Sequence, residues 1–165
     1  MLARMLERVK RAKKVDAIVV ATTDRSEDDA TVELAQKCGV GTFRGSEADV
    51  LDRFYRAALF RQDYEGQAED FTILRLTGDC PLMDPMVIDE VVVHFEEAQG
   101  SIQYSSTPRN YPEGLDIEVF TFAALEAAVR EAKLPSEREH VTPYIKNHPE
   151  CFTIDSWVNG DDDYS

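Results

Sequence analysis

The sequence predicts an α/β protein, a three-layer fold with a mostly parallel sheet flanked by helices. Three observations predict it. Short apolar runs of strand length alternate with amphipathic helical stretches along the whole chain. The run Ala17-Ile18-Val19-Val20-Ala21 is continuously apolar, as a parallel strand covered on both faces requires. The run Phe71 to Arg75 ends in the small-residue turn Thr77-Gly78, and an acid follows immediately at Asp79. Pro81 and Pro85 then prevent that strand from continuing. A carboxylate just past the C-terminal end of a strand lies where open α/β sheets bind ligands. The plainer alternative is that Asp79 only shapes a turn, since Asp and Gly are common turn residues.

The chain of 165 residues is long enough for one domain with its own core, and a single domain over 1–165 is expected. Its formal net charge of −14 argues against nucleic acid or an anionic membrane as partner, because either is repelled. No apolar run approaches a membrane span, and Met1 opens directly into an amphipathic pattern without the look of a leader. The three cysteines, Cys38, Cys80 and Cys151, lie far apart without metal-ligand spacing. A reducing, cytoplasmic setting is the simplest account of them.

Leu2, Met5, Leu6 and Val9 recur at helical spacing, with Arg4, Arg8, Lys10, Arg11, Lys13 and Lys14 on or beyond the other face. Cations late in a helix suit its dipole and need no ligand. After the apolar strand come Thr22-Thr23-Asp24, a second acid at a strand's end. Ser26 with Asp29 reads as a capping box opening a helix that Gly39 stops. Thr42 to Arg44 is a short strand, and Ser46 can cap the helix carrying Val50, Leu51, Phe54, Ala57 and Ala58. Asp63 to Asp70 is a polar loop leading to Phe71–Arg75, which is expected to be the central strand. Asp84 as N-cap with Pro85 at the first position opens the next helix, whose stripe is Ile88, Val91, Val92 and Phe95.

Gly100 ends that helix, and Ile102 to Ser105 is expected to be a strand. Ser106 to Gly114 reads as an exposed loop. Leu115 to Phe120 alternates, with Asp116 and Glu118 sharing one face. Those two acids either occupy the wet face of an edge strand or need a cation or an arginine between them. Leu125, Ala128, Val129 and Ala132 mark another helix. Ser136-Glu137-Arg138-Glu139 fits an S-x-x-E box, which places Arg138, Glu139 and His140 at a helix N-terminus, where an anion is favoured. Pro143 is expected to kink or shorten that helix. Phe152 to Trp157 is a last strand.

The chemistry concentrates on acids at strand ends. In one doubly wound sheet Asp24 and Asp79 emerge on the same edge, and carboxylates meeting there form an oxygen site of the magnesium type. Arg75, in an otherwise apolar run, needs a carboxylate or a phosphate as partner. His94 and His148 read as ordinary helix-surface residues. The chain has no nucleophile elbow, no G-x-G-x-x-G and no Walker loop.

Five motifs in order carry a resemblance: ATTD at Ala21–Asp24, GSEADVLDRFYRAA at Gly45–Ala58, LRLTGDCPLMDP at Leu74–Pro85, YPEGLDIEVF at Tyr111–Phe120, and SEREHVTPYI at Ser136–Ile145. Together they resemble the cytidylyltransferase-like spore coat polysaccharide biosynthesis proteins, a family similar to acylneuraminate and deoxy-octulosonate cytidylyltransferases. The resemblance implies a nucleotide-diphospho-sugar transferase fold of the glycosyltransferase-A type. It also implies transfer of CMP from CTP to a sugar acid, a magnesium ion (Mg2+) held by Asp79, and a homodimer. It places Thr22, Asp24, Ser46, Asp49, Thr77, Gly78 and Asp79 around the nucleotide, and Asp79 with Arg75 at the reacting phosphate. Tyr111, Glu113, Asp116, Glu118, Arg138, Glu139 and His140 would line the sugar side or the dimer contact. The family's opening strand with its R-x-x-S-x-R-L-P-G-K loop, and its late V-D-T-P-E-D-like segment, have no counterpart here. The chain is therefore expected to be truncated at both ends relative to the family. A non-catalytic binding or assembly module of the same fold is one alternative. A glycosyltransferase using Asp161-Asp162-Asp163 as its D-x-D metal motif is another.

Overall fold

A computed structural model describes residues 1–65, 71–108, 111, 112 and 114–158. In chain order the elements are α1 (Leu2–Val9), β1 (Val19–Thr23), a 3-10 turn at Ser26–Asp28, α2 (Asp29–Lys37), β2 (Gly41–Gly45) and α3 (Val50–Glu65). There follow β3 (Thr72–Arg75), α4 (Pro85–Glu97), β4 (Tyr104–Ser106), β5 (Glu118–Thr121), α5 (Phe122–Glu131), α6 (Pro135–His140), α7 (Pro143–Asn147) and β6 (Ile154–Ser156). The α/β alternation expected from the sequence is present, with β1–β2 and β4–β6 parallel and β4–β5 antiparallel. The chain divides into two compact units. The first takes in Met1–Asp16, Leu74–Phe120 and the chain from Phe152, and the second Ala17–Ile73 and Thr121–Cys151.

The first unit carries the four-stranded sheet, ordered β3-β5-β4-β6. β3, expected to be central, is therefore an edge strand, while β5 lies between two neighbours. In that placement Glu118 is only 7% exposed and takes an arginine partner, one of the two outcomes expected for it, whereas Asp116 lies before the strand and is open to solvent. Both faces of β5 are buried, as its place between two neighbouring strands allows. α4 packs Ile88, Val91, Val92 and Phe95 into the core beside Tyr104, Ile117, Val119 and Phe120. Its start is as expected, with Pro85 in the first position and the Asp84 carboxylate accepting from Met86 N at 2.8 Å.

The basic face of α1 is used within this unit. Arg8 Nε donates to the Met83 carbonyl at 2.6 Å, and Lys14 pairs with Glu96 at 2.6 Å. Asp89 accepts from the backbone N–H groups of Lys13 and Lys14 at 2.7 and 2.8 Å. Three of the apolar positions that marked α1, namely Met5, Leu6 and Val9, are buried. His94 Nε2 lies 2.9 Å from Asp155 Oδ2 on β6, so this histidine does more than decorate a helix surface.

The second unit carries the two-stranded sheet β1–β2, with α2, α3, α5, α6 and α7. β1 and β3, expected in one sheet, thus belong to two. Only Thr22 of β1 is buried, whereas a strand covered on both faces was expected. α5 buries Leu125 and Ala128 as its spacing predicts, and Phe122 and Ala124 as well, whereas Val129 is half-buried and the buried Ala132 lies just past the helix end. Phe122 stacks on Phe71 and on Tyr55, with ring centroids 4.9 and 5.7 Å away.

Three expected helix starts shift. Asp28, not Ser26, precedes α2, and the Ser26–Asp29 box does not form because the Asp28 carboxylate turns back to β1. Asp49 rather than Ser46 caps α3, accepting from Asp52 N at 2.9 Å. For α6 the capping acid is Glu137, whose Oε2 accepts from Leu134 N at 3.0 Å and Lys133 N at 3.1 Å. The helix therefore starts at Pro135, and Arg138 and His140 fall in its last turn. The anion-favouring N-terminus expected at those residues is not there. That end of a helix carries the negative pole of the dipole and suits the cationic side chains instead. Pro143 opens α7 rather than kinking α6.

Candidate functional site

Three clusters of the expected residues form, each within one unit. In the first unit, β3 ends in a turn in which Cys80 N donates to the Thr77 carbonyl at 3.3 Å. The strand itself ends at Arg75, and Asp79 lies in the turn that follows it, exposed. Thr77 Oγ1 lies 3.2 Å from Cys80 Sγ, which in turn lies 3.7 Å from Asp79 Oδ1. The Asp79 carboxyl is held below its ordinary value, by the Thr77 hydroxyl first and then by its own backbone N–H, with the Arg75 charge adding to them. A carboxylate kept ionised in the open is what a cation or a polyphosphate-bound ion can use. At Gly78 the nearest neighbour of an added Cβ is Leu2 Cδ1 at 3.9 Å, so that position tolerates a side chain sterically.

Behind this turn lies the second cluster. Arg75 Nη1 donates to Glu118 Oε2, and Glu118 Oε1 accepts from the Tyr104 hydroxyl at 2.7 Å. The arginine has thus met a protein carboxylate, one of the two partners expected. The Arg75 and Glu118 side chains are 20% and 10% exposed, so the pair is largely desolvated and depends on its mutual geometry. Burial, followed by the Glu118 charge, pushes the Tyr104 phenol far above its ordinary value, so it remains a donor at any pH the protein meets. Sequence reasoning passed over Tyr104. The signal for it is a tyrosine in the middle of a short core strand, where a buried hydroxyl needs a partner. Tyr111 packs edge-on against Trp157 at 5.5 Å, and Glu113 lies outside the described residues, as do Asp161 to Asp163.

The third cluster is in the second unit, at the ends of β1 and β2. Asp28 Oδ2 accepts from Thr22 Oγ1 at 2.8 Å, from Thr23 N at 3.0 Å and from the Thr23 hydroxyl. Those hydroxyls, Thr23 first, hold the Asp28 carboxyl below its ordinary value. Asp24 is exposed, and its N–H donates to the Gly45 carbonyl at 3.1 Å. Arg44 donates to the Thr23 carbonyl at 3.0 Å and pairs with Asp29 at 2.6 Å. Arg25 pairs with Glu47 at 2.6 Å. At Gly45 an added Cβ would come within 3.1 Å of Arg53 Cγ and 3.2 Å of Phe43 Cε1, so the absent side chain gives Arg53 room to cross the strand end. Arg53 Nη1 then donates to the Ser46 carbonyl at 2.6 Å. Asp28, Arg44 and Arg53 were not singled out from sequence, because each needs the β1–β2 register to be recognised.

Beside that strand end, Arg138 of α6 reaches Asp49. Its Nη2 lies 2.5 Å from Oδ2, and its Nε lies 3.1 Å from each carboxylate oxygen. Burial raises the Asp49 carboxyl, but the hydrogen bonds from Arg138 and Asp52 outweigh it, and the group is held below its ordinary value. Glu139 and His140 are exposed. Among the described residues no group of three or more His, Cys, Asp or Glu could hold a metal ion. Asp79 alone with phosphate oxygens and water nevertheless fits a magnesium ion, which is usually held by one or two carboxylates and a nucleotide.

A family model described as "Cytidylyltransferase" matches residues 1–160. The spore coat polysaccharide biosynthesis protein SpsF of Bacillus subtilis is 37% identical over 144 residues, which is 86% of this chain and 55% of that protein. The 8-amino-3,8-dideoxy-manno-octulosonate cytidylyltransferase of Shewanella amazonensis is 31% identical over 106 residues, 64% of this chain and 41% of that protein. A solved structure of a cytidylyltransferase from Leptospira borgpetersenii superposes with a TM-score of 0.88 at 40% identity, covering 98% of this chain and 66% of that one. The chain spans about half the length of the curated relatives it matches.

Proposed function

The chain belongs to the cytidylyltransferase family, and on that premise we propose that it transfers CMP from CTP to a hydroxyl of a sugar acid. Pyrophosphate is the other product, and the activated sugar serves the synthesis of a surface or spore-coat polysaccharide. The observation that carries this reading is the exposed Asp79 in the turn that follows β3, with the Thr77 hydroxyl and the Arg75 charge favouring its ionised form. The polysaccharide and the sugar acid are supported by what the Bacillus and Shewanella relatives are named for.

In the transfer, the sugar hydroxyl oxygen forms a bond to the α-phosphorus of CTP. The bond from that phosphorus to the bridging oxygen breaks, and pyrophosphate leaves with the electron pair while the hydroxyl proton passes to solvent. A magnesium ion at Asp79, when bound, supplies charge neutralisation at the phosphates. The residues of the chain supply position and field. Asp79 is ionised at neutral pH, and the Thr77 hydroxyl favours that form further. Arg75 adds positive charge on the same strand, and Glu118 with Tyr104 keeps that guanidinium in one place. In the second unit Thr22 and Asp24, with the loop Gly45–Asp52 including Ser46 and Asp49, take the base and ribose. Tyr111, Glu113, Asp116, Glu139 and His140 are assigned to the sugar side. Within the same reading the protein is a cytoplasmic homodimer. Its Cys38, Cys80 and Cys151 form no disulfide and suit a reducing compartment, and a monomer mass by light scattering would contradict the dimer.

The test is pyrophosphate release from CTP with Mg2+ and a panel of sugar acids, with ATP, GTP and UTP as controls. Release that requires both CTP and one of the acids is expected. CTP binding with no release from any acid would replace the reading with a non-catalytic binding module of this fold.

A further inference from the structure

Arg138 is committed to other parts of the protein. Its Nη1 donates to the Val129 carbonyl at 2.9 Å, while Nε and Nη2 both go to Asp49. Asp49 is also the pivot of the loop before α3. Its carboxylate accepts from Asp52 N at 2.9 Å, and its own N–H donates to Ser46 Oγ at 3.1 Å. One half-buried carboxylate thus joins α6 to the first turn of α3, with side chains 22% exposed for Arg138 and 33% for Asp49.

α6 itself is pinned at both ends. Glu137 caps its start. At its end, Val141 has φ 69° and ψ −57°, a γ-turn of the positive-φ kind, closed by Thr142 N donating to the His140 carbonyl at 2.8 Å. Val141 is a fully buried β-branched residue in a region that such residues avoid. A backbone held in this way persists only where its surroundings over-determine it, and such positions gather at functional segments.

We propose that Arg138 is a positioning residue for the nucleotide, not a ligand of the sugar. Through Asp49 it fixes the Ser46–Asp52 loop, and the strained turn at Val141 fixes the helix from which it reaches. The inference rests on the reading that this chain takes CTP. The planar guanidinium matters, because its fork meets both carboxylate oxygens and a carbonyl at once, which an ammonium cannot do.

The test is calorimetric titration of the full chain with CTP and Mg2+, alongside the thermal midpoint and the KM for each substrate. The proteins are the wild type, Arg138→Met, Arg138→Lys, Asp49→Asn and the double variant Asp49→Asn/Arg138→Met. Arg138→Met and Asp49→Asn should each weaken CTP about tenfold, and the double variant should be no weaker than either. Arg138→Lys should recover only part of the loss, and the KM for the sugar acid should not move. A lowered midpoint with unchanged CTP affinity would overturn the proposal by making the pair a plain staple. A rise confined to the sugar acid's KM would overturn it by making Arg138 an acceptor ligand. Should Arg138→Met not fold, Arg138→Lys against the wild type carries the same comparison. A wild type that binds no CTP would overturn the nucleotide reading, and this inference with it, whereas binding by the wild type left unmoved by the variants overturns the inference alone.

Discussion

The two units handle charge at their strand ends in opposite ways. In the first, Arg75 and Glu118 are taken out of water and locked together with Tyr104, leaving Asp79 alone in the open beyond them. In the second, Arg25, Arg44, Glu47 and Asp29 form a half-exposed lattice around β1 and β2, and among the described residues the Asp49–Arg138 pair is more covered than these. A buried pair is expensive to break because the survivor is left charged and dry, whereas an exposed one hands its survivor to water. The first arrangement fixes a buried ion pair behind the turn that carries the exposed Asp79. The second surrounds its strand ends with exposed, weak pairs and ties the loop before α3 to α6 through the more covered Asp49–Arg138 pair.

The comparison breaks most visibly at Asp79. Asp79→Asn should cut CTP-dependent pyrophosphate release by roughly 10² to 10³, with the melting curve unchanged because the side chain is exposed. Next comes the buried pair. Glu118→Leu should cost about 3–5 kcal/mol in urea unfolding, since Arg75 loses its carboxylate. The matching change in the second unit, Glu47→Leu against exposed Arg25, should leave the urea midpoint where it is. Equal losses at the two sites would remove the contrast. Tyr104→Phe should cost about 1.5–3 kcal/mol by the same method, the range for a hydrogen bond to a charged group.

A smaller effect reads the strain in the second unit. At ordinary positions alanine is more stable than glycine, but at Val141 the order should reverse. Val141→Gly should unfold about 1 kcal/mol later than Val141→Ala, because glycine occupies positive φ freely. The smallest effect is with pH. Asp28 and Asp49 both have carboxyls held below their ordinary value in the folded chain. Their contribution is therefore fully present above the unfolded aspartate value and is lost as the pH falls through the lower folded values. The thermal midpoint should be flat from neutrality down to about pH 4 and fall below it, and Asp28→Asn should shallow that fall.

Much of this was legible in the sequence, and what was not has physical causes. The periodicities of α1 and α4 named every buried residue of those two helices, and that of α5 named two of its four, since helix faces are local properties. That Arg75 needs an anionic partner followed from the cost of burying an unpaired guanidinium, while the choice between a carboxylate and a phosphate stayed open until Glu118 was seen beside it. The position of β3 at the sheet edge could not be read, because strand order is decided by contacts distant in sequence. The same limit hid Tyr104 as the second partner of Glu118. The start of α6 was misplaced because Ser136 and Glu139 imitate a capping box, while the true cap uses Glu137 with a leucine in the N-cap position, which gives no sequence signal. With the start moved to Pro135, Arg138 and His140 changed ends of the helix, and the anion site expected there disappeared.

The central claim is that Asp79 serves CMP transfer from CTP. It is tested most directly by following the α-phosphorus of CTP by 31P NMR in the presence of Mg2+ and a sugar acid. The account predicts that a CMP phosphodiester and pyrophosphate appear in equal amounts with the wild type, and that neither appears with an Asp79→Asn variant that melts like it. No phosphodiester from the wild type with any sugar acid, or an undiminished yield from Asp79→Asn, would contradict it.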